Sequence, residues 1–225
     1  MPAPVMIAPS LQCADPLFLG DAVRILERAG ADMLHVDLMD HHFVPNLALS
    51  FDAVKALRAF TPLELDVHIM AEPVGVAVRE TLAAGAHRVC FHVENKGDAG
   101  ALLREIRQAG RLCGLAISPD TPISALFPYL AAVDYVLLMA VRPGFAGQKF
   151  LPDALERAAS LAGYRKEQGL SFAIEVDGGI DEVNGRQCIL HGADILVAGA
   201  KCIFLPGGDL AELTRAFAQA MKAVH

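Results

Sequence analysis

His35 and Asp37 stand two residues apart in Met33-Leu34-His35-Val36-Asp37-Leu38-Met39-Asp40, a run that begins apolar and ends in carboxylates. In an extended strand, residues i and i+2 project to the same face. The imidazole and the carboxylate then lie side by side, with Leu34, Val36 and Leu38 turned the other way. Such a pair can hold a divalent metal or orient an acid that transfers a proton. It can equally be a hydrogen-bonded pair with a structural job, and groups elsewhere in the chain have to separate the two readings.

Those groups need elements to position them. Short β-rich apolar runs alternate with amphipathic helical stretches from end to end. Strands are expected over 5–8, 33–37, 63–68, 88–92, 112–117, 135–139, 172–176 and 195–198. Helices are expected over 17–29, 51–60, 74–84, 99–109, 123–130, 153–168, 182–190 and 210–224. The strands are apolar on both faces, as in a parallel sheet covered by helices. Gly30, Gly85, Gly110 and Gly192 fall just past helices, where a left-handed cap favours glycine. Eight such units without a linker or composition break predict an α/β chain folded as one closed (β/α)8 TIM barrel over residues 1–225. A doubly wound open sheet is the runner-up. Against it, no G-x-G-x-x-G follows the first strand.

In such a barrel the active site lies at the C-terminal ends of the strands. Ser10, His35 with Asp37, His68, His92, Ser118, Met139, Asp177 and Gly199 fall at those ends. Two imidazoles and two carboxylates (His35, Asp37, His68 and Asp177) suit zinc, iron(II), manganese or cobalt. The alternative is that each is hydrogen-bonded singly in a polar barrel mouth. Asp37 and Asp177, on strands two and seven, could place a carboxylate on each face of one substrate carbon. One would remove a proton and the other return one, while a metal on the adjacent carbonyl oxygen stabilised the enediolate between the two steps. Alternatively, one aspartate is only a ligand and the other only a structural cap.

Gly144-Phe145-Ala146-Gly147 follows strand six, Gly178-Gly179 strand seven and Gly199-Ala200 strand eight. Loops in this part of the fold often build a phosphate site from backbone N–H groups, and glycine lets the backbone approach the anion. Met39, Met70 and Met139 fall at or just past strand ends. They read equally as core filler or as an apolar lid that keeps water from an enediolate.

Composition narrows the classes. The chain has 225 residues, 54% of them hydrophobic, and a net charge of −7. It has no basic block, which argues against a nucleic-acid binder. No apolar run reaches membrane-spanning length and no signal pattern opens the chain. Five scattered cysteines without a C-x-x-C pair read as free thiols in a reducing cytoplasm.

Longer motifs add a family. His35-Val36-Asp37-Leu38-Met39-Asp40 with His42-Phe43-Val44-Pro45-Asn46 resembles the ribulose-phosphate 3-epimerase family. So do Ala8-Pro9-Ser10-Leu11, Asp66-Val67-His68-Ile69-Met70, Pro143-Gly144-Phe145-Ala146-Gly147-Gln148-Lys149-Phe150, Glu175-Val176-Asp177-Gly178-Gly179-Ile180 and Val197-Ala198-Gly199. The resemblance implies a barrel of the ribulose-phosphate-binding type that interconverts D-ribulose 5-phosphate and D-xylulose 5-phosphate with one divalent metal per chain. It implies His35, Asp37, His68 and Asp177 as ligands and Asp37 and Asp177 as the acid–base pair. Ser10, His68 and the three methionines are implied at the substrate, with the glycine loops at its phosphate. A cytoplasmic homo-oligomer, dimer or hexamer, is also implied. The chain departs from the family pattern at His41 and Ala146, where glycine is usual, and at Ala200, where serine is usual and Lys201 follows. These changes leave open another ketose phosphate, D-allulose 6-phosphate or a tetrulose 4-phosphate.

Two rivals remain. A barrel lyase working through a Schiff base needs a lysine near the scissile carbon, and no lysine is expected at a strand end facing the aspartates. A non-catalytic phosphosugar-binding protein would not need two opposed aspartates together with metal ligands.

Overall fold

The structure, a computed structural model, describes residues 4–224. Eight parallel strands form its centre: β1 (Met6–Pro9), β2 (Met33–Met39), β3 (Glu64–Met70), β4 (Arg88–His92), β5 (Leu112–Ile117), β6 (Tyr135–Met139), β7 (Ala173–Asp177) and β8 (Ile195–Ala198). Each pairs with its neighbour in the order β1-β8-β7-β6-β5-β4-β3-β2. A parallel bridge between Ser10 and His35 joins β1 to β2 and closes the ring. The fold is therefore the expected (β/α)8 barrel. Closure puts a candidate ligand, His35, at the seam itself.

The helices are α1 (Leu19–Ala29), α2 (Phe51–Phe60), α3 (Val74–Ala84), α4 (Ala99–Gln108), α5 (Asp153–Glu167), α6 (Glu182–Leu190) and α7 (Leu210–Lys222). Their starts follow side-chain chemistry. Ser50, Asp98 and Asp209 each accept a backbone N–H of the first turn, and Asp181 forms a full capping box with Asn184. Gly30, Gly85, Gly110 and Gly192 all take positive φ, as their positions after helices require.

Several boundaries differ from expectation. The segment expected as the fifth helix, 123–130, is a 3-10 helix, Ile123–Tyr129. Pro128 has no N–H to donate, and the stretch between Pro122 and Pro128 is too short to establish an α-helix. Helix one begins at Leu19 because Pro16–Phe18 is a separate 3-10 turn capped by Asp15. Strands β2 and β3 run on to Met39 and Met70, two residues beyond the expected ends, and β7 ends at Asp177.

Alternation along each strand sorts the side chains. Leu34, Val36 and Leu38 face outward into the main apolar core beneath the helices. Inward, Ala8, Met33 and Ile195 plug one end of the barrel. Above them the interior is polar, with His35, Asp66, Arg88 and Glu175 buried together. Gly114 of β5 leaves the space that Tyr135 fills, since a Cβ there would lie 2.6 Å from the tyrosine Cζ. The five cysteines are free thiols, four of them buried. Among the described residues no helix is long and apolar enough to cross a membrane.

Candidate active site

The inward positions of β2, β3 and β7 carry the chemistry. His35 and Asp37 share the inward face of β2, His68 lies on β3 paired across from Asp37, and Asp177 ends β7. One ligand atom from each of the four lies within 4.8 Å of every other. The bland reading, four groups each satisfied singly, does not account for His35. Its Nε2 is buried without a hydrogen-bond partner and faces Asp37 Oδ1 at 3.5 Å. A buried imidazole nitrogen is seldom left unpaired. A cation among the four groups would use that lone pair, and the donor set suits a divalent transition metal.

Hydrogen bonds hold the other atoms of three of these side chains. His35 Nδ1 lies 2.7 Å from Asp66 Oδ2. Asp66 in turn accepts the Tyr135 hydroxyl at 2.6 Å, and Arg88 lies 3.6 Å away. Asp37 accepts the Ser10 hydroxyl on Oδ2 at 3.0 Å, and its Oδ1 lies 3.3 Å from His68 Nδ1. The opposite nitrogen of His68 is 2.8 Å from His92.

Electrostatics separate the two aspartates. Burial pushes Asp37 up, but the charge and hydrogen bond of His35, joined by His68, outweigh it and hold Asp37 below the usual carboxylate range. Burial pushes Asp177 up to about 7, with the neighbouring Asp37 adding to the effect. Burial lowers His68 to about 4, which favours the neutral ring that metal binding would require. In the protein alone, the two buried carboxyl groups are therefore shifted in opposite directions. A bound divalent cation would lower both.

A cavity opens onto this cluster. Asp37, Asp177 and Ser10 line it, with Met39, Met70 and Met139 along the walls. Met39 and Met70 pack with Val44 and Phe43 of the loop after β2, whereas Met139 belongs to the inner apolar cluster around Tyr135. Loop residues also line it: Gly144, Phe145, Ala146 and Gly147 after β6, Gly178 and Gly179 after β7, Gly199 and Ala200 after β8. The expected residues therefore converge. His68 is fully buried and is not among the residues lining the cavity. Lys201, in the loop after β8 and not at a strand end, lines the same cavity as both aspartates.

The departures from the family pattern have different weights. His41 takes φ 65, the left-handed region where glycine is the easy residue. Ala146 has no positive φ, so its methyl group costs no backbone strain. Gly179 is less replaceable. It has φ +66, and a Cβ would sit 2.6 Å from the Phe150 amide nitrogen. Gly179→Ala is expected to destabilise the protein by at least about 2 kcal/mol, from the left-handed backbone and the clash together. A fall in the urea midpoint at constant m-value measures it, and an unchanged midpoint would show that the loop relaxes freely.

Asp66, Arg88, Tyr135, Glu175 and the His92–Glu94 pair had no assigned role in the sequence. A signal existed: Asp66 and Glu175 lie two residues before His68 and Asp177 and so share their inward face.

Comparison with known proteins follows the same lines. The family model described as the ribulose-phosphate 3 epimerase family matches residues 6–204. A protein of Chlamydia muridarum named ribulose-phosphate 3-epimerase is 42% identical over 198 residues, 87% of each chain. Those of Treponema pallidum and Escherichia coli with the same name are 40% and 38% identical, over 86% and 87% of this chain and 89% and 87% of theirs. Among solved structures, phosphoribosyl anthranilate isomerase from Thermus thermophilus superposes with a TM-score of 0.67 at 16% identity, covering 98% of this chain and 100% of that one. Thiamine phosphate pyrophosphorylase from Pyrococcus furiosus gives 0.67 at 15% identity, over 98% and 96%. At such identities the structural likeness shows the barrel fold alone.

Proposed function

The chain belongs to the ribulose-phosphate 3-epimerase family, and from that premise we propose that it interconverts D-ribulose 5-phosphate and D-xylulose 5-phosphate by inversion at C3. The observation that carries the reading is the buried four-group cluster, with its unpartnered His35 Nε2, beneath a cavity lined by Asp37 and Asp177. His35, Asp37, His68 and Asp177 would hold one divalent ion, zinc, iron(II), manganese or cobalt. When bound, the ion supplies a Lewis acid for oxygen atoms next to the reacting carbon.

The chain's own groups do the proton transfer. For one epimer, the carboxylate of Asp37 takes the C3 proton and its electron pair passes into an enediolate. Asp177, protonated, returns a proton to C3 on the other face. For the reverse reaction the roles exchange, so each turnover leaves the pair with its protons interchanged. The Ser10 hydroxyl, donating to Asp37 Oδ2, keeps Oδ1 turned toward the histidines. Met39, Met70 and Met139 keep the cavity wall apolar, which limits water at the enediolate. The glycine loops after β6, β7 and β8 would take the phosphate, and Lys201 is the one cation among the residues that line the cavity. By family, a cytoplasmic homo-oligomer, dimer or hexamer, is the expected state, which sedimentation of the purified protein can check.

A panel of four-, five- and six-carbon ketose phosphates tests the substrate. D-ribulose 5-phosphate is expected to give the highest kcat/KM, with the unphosphorylated sugar far poorer because phosphate binding positions C3. A higher value for D-allulose 6-phosphate or a tetrulose 4-phosphate would move the assignment to that sugar, and Ala146, Ala200 and Lys201 are where the pocket differs from the family pattern. Covalent trapping of substrate by borohydride at Lys201 would replace the epimerase reading with a Schiff-base lyase. Tight binding without solvent deuterium at C3 would leave only a binding protein.

A further inference from the structure

His92 ends β4 fully buried, between a candidate metal ligand and a carboxylate. Its Nε2 is 2.8 Å from Nε2 of His68. Its Nδ1 is 3.0 Å from Oε2 of Glu94. Two facing imidazole nitrogens share a single proton, so one must donate and the other accept. The far end of the chain decides which. Glu94 Oε1 accepts the Ser118 backbone N–H at 2.8 Å, which turns Oε2 toward His92. An ionised carboxylate only accepts, so the proton on His92 sits at Nδ1. His92 Nε2 is then bare and accepts from His68 Nε2–H. That leaves His68 Nδ1 with its lone pair, and Nδ1 is the nitrogen 3.3 Å from Asp37 Oδ1. Ser118 Oγ, 3.3 Å from His92 Nδ1, is a second acceptor for the same proton and does not change its direction. The Phe43 ring packs on His92 with centroids 4.8 Å apart.

We propose that Glu94, acting through His92, is a positioning residue that fixes the tautomer of His68 and presents its Nδ1 lone pair to the metal. The inference rests on the reading of the four-group cluster as a metal site. His35 is oriented by direct contact with Asp66 and offers Nε2. His68 needs an intermediary because its Nε2 meets a second imidazole. The two ligands therefore present opposite nitrogens, and a different carboxylate sets each one.

Glu94→Gln reverses the chain without changing its shape. The amide oxygen of glutamine takes the place of Oε1 against Ser118 N–H, so its NH2 group faces His92 Nδ1. An NH2 donates, the proton on His92 moves to Nε2, and His68 is left protonated at Nδ1, where the ion should bind. The test uses zinc alone, with affinity measured by chelator competition and protonation read by NMR of histidine-labelled protein. In the zinc-loaded wild type, His68 is expected to carry its proton at Nε2 and His92 at Nδ1. Glu94→Gln is expected to bind zinc about ten- to hundredfold more weakly, while the melting midpoint of the zinc-free protein moves by no more than about 4 °C. A merely structural role for Glu94 would instead lower the zinc-free midpoint and leave zinc affinity alone, and that result overturns the proposal. The wild-type spectrum does not depend on the variant folding, and the opposite tautomers there overturn it too. A wild type that binds no zinc overturns the metal reading and this inference together, whereas zinc binding with unchanged affinity in Glu94→Gln overturns this inference alone.

Discussion

Asp177→Asn is expected to lower net epimerisation by about a hundredfold or more, the loss typical of a positioned acid–base group, without abolishing proton exchange. Asn keeps the size of the side chain and one ligand oxygen, but it neither accepts nor gives the proton. If Asp37 and Asp177 serve opposite faces of C3, each epimer hands its proton to a different carboxylate. The surviving Asp37 then exchanges the C3 proton of one epimer with deuterated solvent. Asp37→Asn is expected to show the mirror pattern, exchanging the other epimer. The environments make the two losses unequal in kind. Asp37 is held ionised by His35 and His68, whereas burial raises Asp177 to about 7. Metal content has to be measured in both variants, because a lost ion would also abolish activity. If both keep their metal and exchange the same epimer, a single carboxylate moves the proton and the two-base reading is wrong.

Removing the metal is expected to be at least as severe. Stripped protein should lose about a thousandfold in kcat/KM, the equivalent of roughly 4 kcal/mol, and recover with about one divalent ion per chain. The reason lies in the residues themselves. Without a cation, the buried Nε2 of His35 has no hydrogen-bond partner and two carboxylates lie within 4.8 Å of each other in the same cluster. Burial disfavours the charge on His35, but Asp37, Asp66 and Glu175 outweigh it and hold the ring well above its ordinary pKa. Full activity in strong chelator, with no metal found by elemental analysis, would remove the ion from the mechanism.

The site was partly legible because alternation along a strand is local. From the spacing of His35 and Asp37, and the apolar residues between them, the inward face of β2 follows without knowledge of any other strand. The same parity puts Asp66 beneath His68 and Glu175 beneath Asp177, though neither could be given a partner from the sequence. The fifth helix was misread for an equally local reason. The run 123–130 has helical apolar spacing, and Pro128 inside it cost an α-helical hydrogen bond that the spacing does not register.

By itself, the sequence determined the alternation of strands and helices, the inward face of each strand and the glycines at the loop ends, since all of these depend on neighbours a few residues away. Tertiary structure decided what those faces meet. Barrel closure at Ser10 and His35 brings β2 within reach of β7, with β1 and β8 between them, and so turns four scattered side chains into one cluster. Register sets Asp66 against His35, and the neighbouring strands β3 and β4 bring His92 against His68. A histidine's tautomer is not a property of the residue. It is fixed by whichever group takes the other proton, and those groups lie on different strands.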